Sequence, residues 1–353
     1  MLRTSLACVC ALAPWVTMAQ VDLPMVDVGD PGNPGDPSTG HGSVGAGYRI
    51  GRFEVRNADY AAFLNSVARF GDPHGLWSPT NSPMYGISRS GSGTVGSPFL
   101  YSVDVGYAGL PVTYVNYYDA ARFANWLHNG QPDTGYATNG TTETGSYTFS
   151  GATGIPGRNP DATWVLPSQE EWYKAAFYDP TASATSNFWT YATRSDAIPN
   201  SRRPNTNDAN SANFFRNATG DPAGDFLNDG YGVTGEATLR AGTNYLTEVG
   251  GYEGGFSYFG TFDQGGNVWE WTETTTNLSG SIYGIRYGGS WALGAVFMSA
   301  VNLDFDDPLD RHDDVGFRLV LIPEPGVGPW VLCGAGLAAI WVGRRRWRGS
   351  GRG

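Results

Sequence analysis

Residues 262–271 read FDQGGNVWEW, and the last three place a carboxylate, Glu270, between two indoles, Trp269 and Trp271. A carboxylate flanked by indoles points into a core, and a buried carboxylate needs a cation or several donors to hold it. Two glycines and an asparagine precede it, residues that let a backbone curl its carbonyls toward one point. Two partners are open for Glu270. One is a hard cation, which takes carboxylate, amide and backbone oxygens. The other is an arginine, Arg286 or Arg318, with backbone amides.

The chain around this stretch has 353 residues, 41% of them hydrophobic, 14% aromatic and only 16% charged, with 50 glycines and 22 prolines. That excludes a disordered acidic chain and predicts a loop-rich domain with few long helices. The ends carry their own patterns. Met1 to Ala19 holds Arg3, the apolar run SLACVCALAPWV and a small-residue cleavage site, the pattern of a secretory signal peptide. Gly326 to Gly343 is 18 uncharged residues followed by Arg344, Arg345 and Arg346, which predicts a transmembrane helix with its C-terminal side cytoplasmic. Pro323-Glu324-Pro325, that apolar segment and the arginine patch together resemble the PEP-CTERM sorting signal of exported bacterial proteins. The resemblance implies an exosortase-type peptidase as partner and delivery to the cell surface or extracellular matrix.

The three cysteines are Cys8, Cys10 and Cys333, so the body from Gln20 to Ile322 has none, hence no disulfide and no thiolate ligand. Six arginines and Glu324 also lie in the ends. That leaves 22 − 6 = 16 basic and 33 − 1 = 32 acidic residues in the body, a net charge of −16. Such a surface excludes nucleic acid as a partner and suits divalent cations or neutral ligands.

Residues 20–47 are rich in Pro, Gly and Asp and predict an extended lead-in to a single domain spanning 48–322. Asn57 is expected to cap a helix carrying Tyr60, Phe63, Leu64 and Val67 on one face. Residues 71–109 read as loop and Pro111–Val115 as a short strand. The spacing predicts a second helix over 117–128, ended by Asn129-Gly130. The stretch to Gly157 reads as a hairpin. Ser168-Gln169-Glu170-Glu171 is a capping box opening a third helix, stopped at Asp179-Pro180. Short strands and turns follow to Val320. Early short helices and later irregular strands make an α+β pattern.

Six stretches carry a wider resemblance: FEVRNADYAAFLN (53–65), PVTYVNYYDAARFANWL (111–127), WVLPSQEEWYKAA (164–176), GGNVWEW (265–271), RYGGSW (286–291) and VGFRLV (315–320). In this order they resemble the formylglycine-generating enzyme, or sulfatase-modifying factor, family. The resemblance implies a C-type-lectin-like fold of short helices, small sheets and long ordered loops. It also implies two calcium sites. The first would use Asn267 and Glu270 with backbone oxygens of Gly265, Gly266 and Val268. The second would use Asn213, Phe214, Asp229 and Tyr231, with Asp221 and Asp225 as rivals to Asp229.

Oxidising members of that family hold copper with two cysteines five residues apart. Here Gly294 and Ser299 fall nearest those positions, and neither binds Cu(I), which wants soft sulfur. No copper is therefore expected, and formylglycine-generating oxidase chemistry lacks its ligands. Trp271, Ser290, Asp304 and Asp306 fall near the family's substrate pocket, although Trp271 reads equally as core. The four histidines, His41, His74, His128 and His312, lack paired metal-ligand spacing. The expected protein is an exported, surface- or matrix-directed binding or structural member of the family, with extracellular polysaccharide or surface proteins as partners. The alternative is an enzyme with a different metal centre.

Overall fold

In the computed structural model of the chain, residues 20–149, 154–182, 186–204, 209–216 and 230–323 are described. The three expected helices form, each for a legible local reason. Helix α1 spans Asn57–Val67, α2 spans Tyr117–His128 and α3 spans Gln169–Phe177. Helix α2 starts where Asn116 Oδ1 accepts from the Asp119 amide and Asp119 Oδ2 accepts from the Asn116 amide, a reciprocal box. It ends at Gly130, whose φ of +80° a Cβ-bearing residue adopts only at a cost. Helix α3 starts on the predicted box: Ser168 Oγ accepts from the Glu171 amide and Glu171 Oε2 from the Ser168 amide.

Helix α1 begins one position earlier than expected. Arg56 is its N-cap residue, with its amide and its guanidinium both donating to Asp59. Asn57 is the first helical residue and fully buried. Its amide group donates to the carbonyls of Tyr107, Leu110 and Pro111 instead of capping. The 71–109 stretch holds a hairpin the sequence hides, Ile87–Ser90 paired with Leu100–Val103. Pro111 makes only an isolated bridge to Arg56, so no strand forms there. In the stretch expected as a hairpin up to Gly157, Asn139–Glu143 forms a π-type turn, and residues 150–153 lie outside the described residues.

Two four-stranded sheets organise the rest. The first runs in the order Met25–Val28, Tyr48–Gly51, Val320–Leu321, Trp164–Val165. Its third strand is the last among the described residues, paired antiparallel on both sides. The second runs Asp304–Asp306, Ser281–Tyr287, Trp269–Leu278, Val315–Gly316. Its spine is a long hairpin turning at Ser279 and Gly280, both with positive φ, as a tight hairpin turn requires.

The 20–47 stretch belongs to the fold. Its Met25–Val28 strand pairs with Tyr48–Gly51. Tyr173 donates to Asp36 Oδ2 at 2.7 Å and Lys174 Nζ to the Asp30 carbonyl at 2.7 Å, which fastens the stretch onto α3.

Aromatic residues fill two neighbouring cores. Phe63 of α1, Phe123 of α2 and Phe317 interlock edge-to-face at 5.3 and 5.5 Å. Trp172 of α3 stacks on Tyr287 of the long hairpin at 5.1 Å. Burying rings of this size supplies most of the apolar driving force such a loop-rich chain has. Among the described residues no helix is long and apolar enough to cross a membrane. The expected signal peptide over 1–19 and transmembrane helix over 326–343 lie outside the described residues.

Candidate functional site

The GGNVWEW stretch enters its strand through a tight curl. Asp263, Gly266 and Asn267 have φ of +58°, +90° and +59°. Asn267 N–H donates to the Asn213 carbonyl at 2.7 Å, and Gly266 N–H to the Gly288 carbonyl at 2.8 Å. A Cβ on Gly266 would lie 2.4 Å from the Asn213 oxygen, so only glycine fits. The curl is thus pinned between the 211–214 segment and the GGSW segment. It delivers Glu270 to the interior with no exposure at all.

Glu270 is held by an arginine. Arg318 donates from Nε to Glu270 Oε2 and from Nη2 to Oε1, each at 2.5 Å. Trp172 Nε1 adds a third donor at 2.7 Å. The other guanidinium donors go to the Gly51 and Phe262 carbonyls at 3.0 and 2.8 Å. This bidentate pair answers the question raised by WEW: the indoles pack in the core while Arg318 and Trp172 compensate the carboxylate. Arg286, the other arginine considered, instead pairs with Asp304 and Asp306.

Two further carboxylates share the interior. Glu54, between Phe53 and Val55, is buried; its Oε1 accepts from Asn267 Nδ2 at 3.1 Å. Its Oε2 has no hydrogen-bond partner. Asp263 is buried too and accepts from the Gly250 amide at 2.5 Å. Burial pushes the Glu54 carboxyl well above the usual range, and the charges of Asp263 and Glu270 push it further against Arg318. Burial likewise raises Asp263 to about 6, opposed by the Gly250 amide and Arg318. With all three ionised, three carboxylates face one guanidinium, an excess of two negative charges.

The expected metal ligands therefore need correction. Both Glu270 oxygens are engaged by Arg318 and Trp172, so Glu270 is an ion-pair partner, not an open ligand. The two segments expected at separate sites meet: Asn213 Nδ2 donates to Asn267 Oδ1 at 3.1 Å, beside the Thr247 amide at 3.0 Å. The Phe214 carbonyl accepts from Ser201 Oγ and Gly232 N–H, and the Tyr231 carbonyl from the Thr234 and Gly235 amides. Those two oxygens are taken up by hydrogen bonds within the fold. Gly265 lies in the same curl, and the Val268 side chain packs with Leu246 and Trp291. Asp229, with Asp221 and Asp225, lies outside the described residues.

The expected pocket residues divide. Trp271 is fully buried, donates to the Val115 carbonyl at 3.1 Å and meets Tyr117 edge-on, so it is core. Ser290 is also fully buried and donates to Asp314 Oδ2 at 2.7 Å, so it lines no open pocket. Asp304 and Asp306 do come together, through Arg286 on the adjacent strand. Gly294 and Ser299 flank a short 3₁₀ turn, Ala295–Met298; Ser299 Oγ donates to the Val296 carbonyl at 2.8 Å and accepts from Asn302.

Glu54 and Asp263 escaped the sequence reading. The signal for Glu54 was present: FEV sets a carboxylate between apolar neighbours, as WEW does. Asp263 stood in the FDQGGNVWEW stretch but resembled a turn residue.

Short helices, small sheets, long ordered loops and a buried Glu–Arg pair under a glycine curl define an α+β, lectin-like scaffold. The family model of the sulfatase-modifying factor enzyme 1-like domain matches residues 32–322, and the chain belongs to that family. No curated protein matches the chain. Among solved structures, the chain is similar to CarF at 19% identity, covering 86% of this chain and 99% of that one, with a TM-score of 0.47. It is similar to variable protein 1 of Treponema denticola at 17% identity, covering 88% and 100%, with a TM-score of 0.47. PvdO from Pseudomonas aeruginosa is 17% identical, with 85% and 94% covered and a TM-score of 0.39.

Proposed function

We propose that this protein is an exported, surface- or matrix-directed member of the sulfatase-modifying factor family that acts as a binding or structural domain, not as a copper oxidase. One observation carries the reading: the body from Gln20 to Ile322 contains no cysteine. Cu(I) needs soft sulfur, and the nearest positions offer Gly294 and a Ser299 hydroxyl bonded to its own turn. The signal-peptide pattern, the PEP-CTERM-like end and the arginine patch support export and an exosortase-type peptidase as partner. The body's net charge of −16, from 16 basic and 32 acidic residues, favours neutral partners such as extracellular polysaccharide or surface proteins over nucleic acid. The test is incubation of the full-length protein with copper and a sulfatase-type cysteine peptide. No formylglycine above a no-protein control is expected, and clear oxidation would overturn the reading.

A structural calcium ion belongs to the same proposal. The unpartnered Glu54 Oε2, the buried Asp263 and the two uncompensated negative charges fit a hard divalent cation. Glu54 and Asp263 would hold it. The ion would supply charge compensation and no chemistry. Elemental analysis of the full-length protein is expected to find about one calcium per chain, with melting lowered by EDTA and restored by calcium. Glu54→Gln should abolish that response. Calcium-free protein whose melting ignores both additions would reject the site.

A further inference from the structure

We propose that Asp306, Asp310 and His312 form a second, independent metal site that takes a zinc-class divalent ion. One ligand atom from each lies within 4.8 Å of the other two. The contact inside the group is unusual. His312 Nε2 sits 2.8 Å from Asp306 Oδ2. Yet that nitrogen is shielded from solvent and makes no hydrogen bond of acceptable geometry. Two donor atoms side by side, close but misaligned for a hydrogen bond, resemble neighbouring ligands on one ion. With metal–ligand bonds of about 2.0–2.1 Å, adjacent ligands lie about 3 Å apart.

Charge and scaffold agree with this. Arg286 bonds Asp304 through Nε at 2.9 Å and Nη2 at 2.6 Å, and is also paired with Asp306 Oδ2. Its Nη1 lies 2.9 Å from Asp306 but makes no aligned hydrogen bond. Asp304, Asp306 and Asp310 against Arg286 leave two negative charges, which one divalent ion would neutralise. The loop is pinned where it carries the ligands. Asp306 ends the edge strand paired to Gly284. Tyr117 N–H holds the Pro308 carbonyl and Tyr114 N–H the His312 carbonyl. Arg311, beside His312, is clamped by both oxygens of buried Asp119 at 2.9 Å. The backbone that carries the ligands is thus held before an ion arrives, which lowers the ordering cost of binding.

Donor chemistry selects the class. One imidazole with two carboxylates suits zinc better than calcium, which takes oxygen alone. Three protein ligands leave positions open to an exogenous group. The same loop, through Asp307, Pro308 and Leu309, walls a groove of about 1090 Å³ that Tyr118 and Phe149 also line.

The test is calorimetric titration of ZnCl2 into the full-length protein, stripped of metal by chelation and dialysis. One saturable site is expected, weakened about tenfold or more by His312→Ala and by Asp310→Asn. Both side chains are substantially exposed, so both variants should melt like the stripped parent. Glu54→Gln, which empties the buried calcium site, should leave zinc uptake unchanged. Absence of saturable uptake would overturn the proposal, as would equal uptake by both loop variants or loss of uptake in Glu54→Gln.

Discussion

Arg318→Met is expected to destabilise the protein by about 3–5 kcal/mol, a large part of the stability an ordinary domain has. The guanidinium and the Glu270 carboxylate are both fully buried and joined by two short bonds. Removing the guanidinium leaves Glu270 ionised in the core with only the Trp172 donor, or protonated at a cost. It also frees the Gly51 and Phe262 carbonyls and removes the cation that restrains Glu54 and Asp263. The double variant Arg318→Met/Glu270→Gln should recover part of the loss, because the buried charge goes with its partner. Urea unfolding of the parent, the two single variants Arg318→Met and Glu270→Gln, and the double variant measures this. A single variant within about 1 kcal/mol of the parent would mean the pair is not what holds the core.

In EDTA, stability should fall as pH rises from about 5 to 8, against the usual behaviour of paired carboxylates. The sign follows from the native state. Glu54 and Asp263 have folded pKa values above their unfolded ones, so the native protein holds more protons than the unfolded chain. Their contribution is fully present below the unfolded carboxylate range, about 4, and is lost as pH rises through the folded values. For Asp263 that value is about 6. A shift of roughly two units corresponds to about 3 kcal/mol between the ends of the window. Asp119, raised by burial to about 7 against Arg311, slopes the same way. The informative quantity is therefore the difference between parent and Asp263→Asn, which should melt higher than the parent at pH 8 and show a flatter profile. Calcium should flatten the parent's profile as well, by compensating the ionised pair. A parent that gains stability steadily up to pH 8 in EDTA would reject the buried-acid account.

Much of the scaffold was legible because local chemistry wrote it. The Ser168–Glu171 box and the Asn129-Gly130 stop satisfy backbone groups within a few residues, and α2 and α3 formed where these signals and the apolar spacing predict. The start of α1 was not legible, because Asn57 is taken by carbonyls of residues 107–111, which no local window contains. The Ile87–Ser90 hairpin was masked by turn residues whose strand pairing depends on α1. The same distinction governs the site. WEW announced a buried carboxylate and left its partner open between a cation, Arg286 and Arg318. The choice was fixed by packing between strands remote in sequence. Resemblance placed Ser290 near a pocket and left Trp271 equally open between pocket and core; their partners, Asp314 and Val115, put them inside.

The position of Val320–Leu321 in the middle of its sheet bears on how this chain acquires its structure. A ribosome or translocation channel releases residues in order, and this strand is among the last of the body to emerge. Until it does, Tyr48–Gly51 and Trp164–Val165 have no common neighbour, and Glu270 waits without the guanidinium two residues before that strand. The domain therefore cannot complete itself piecemeal from its N-terminus. Folding must follow release and close long loops before it is rewarded, which makes it slow and exposes unpaired edges meanwhile.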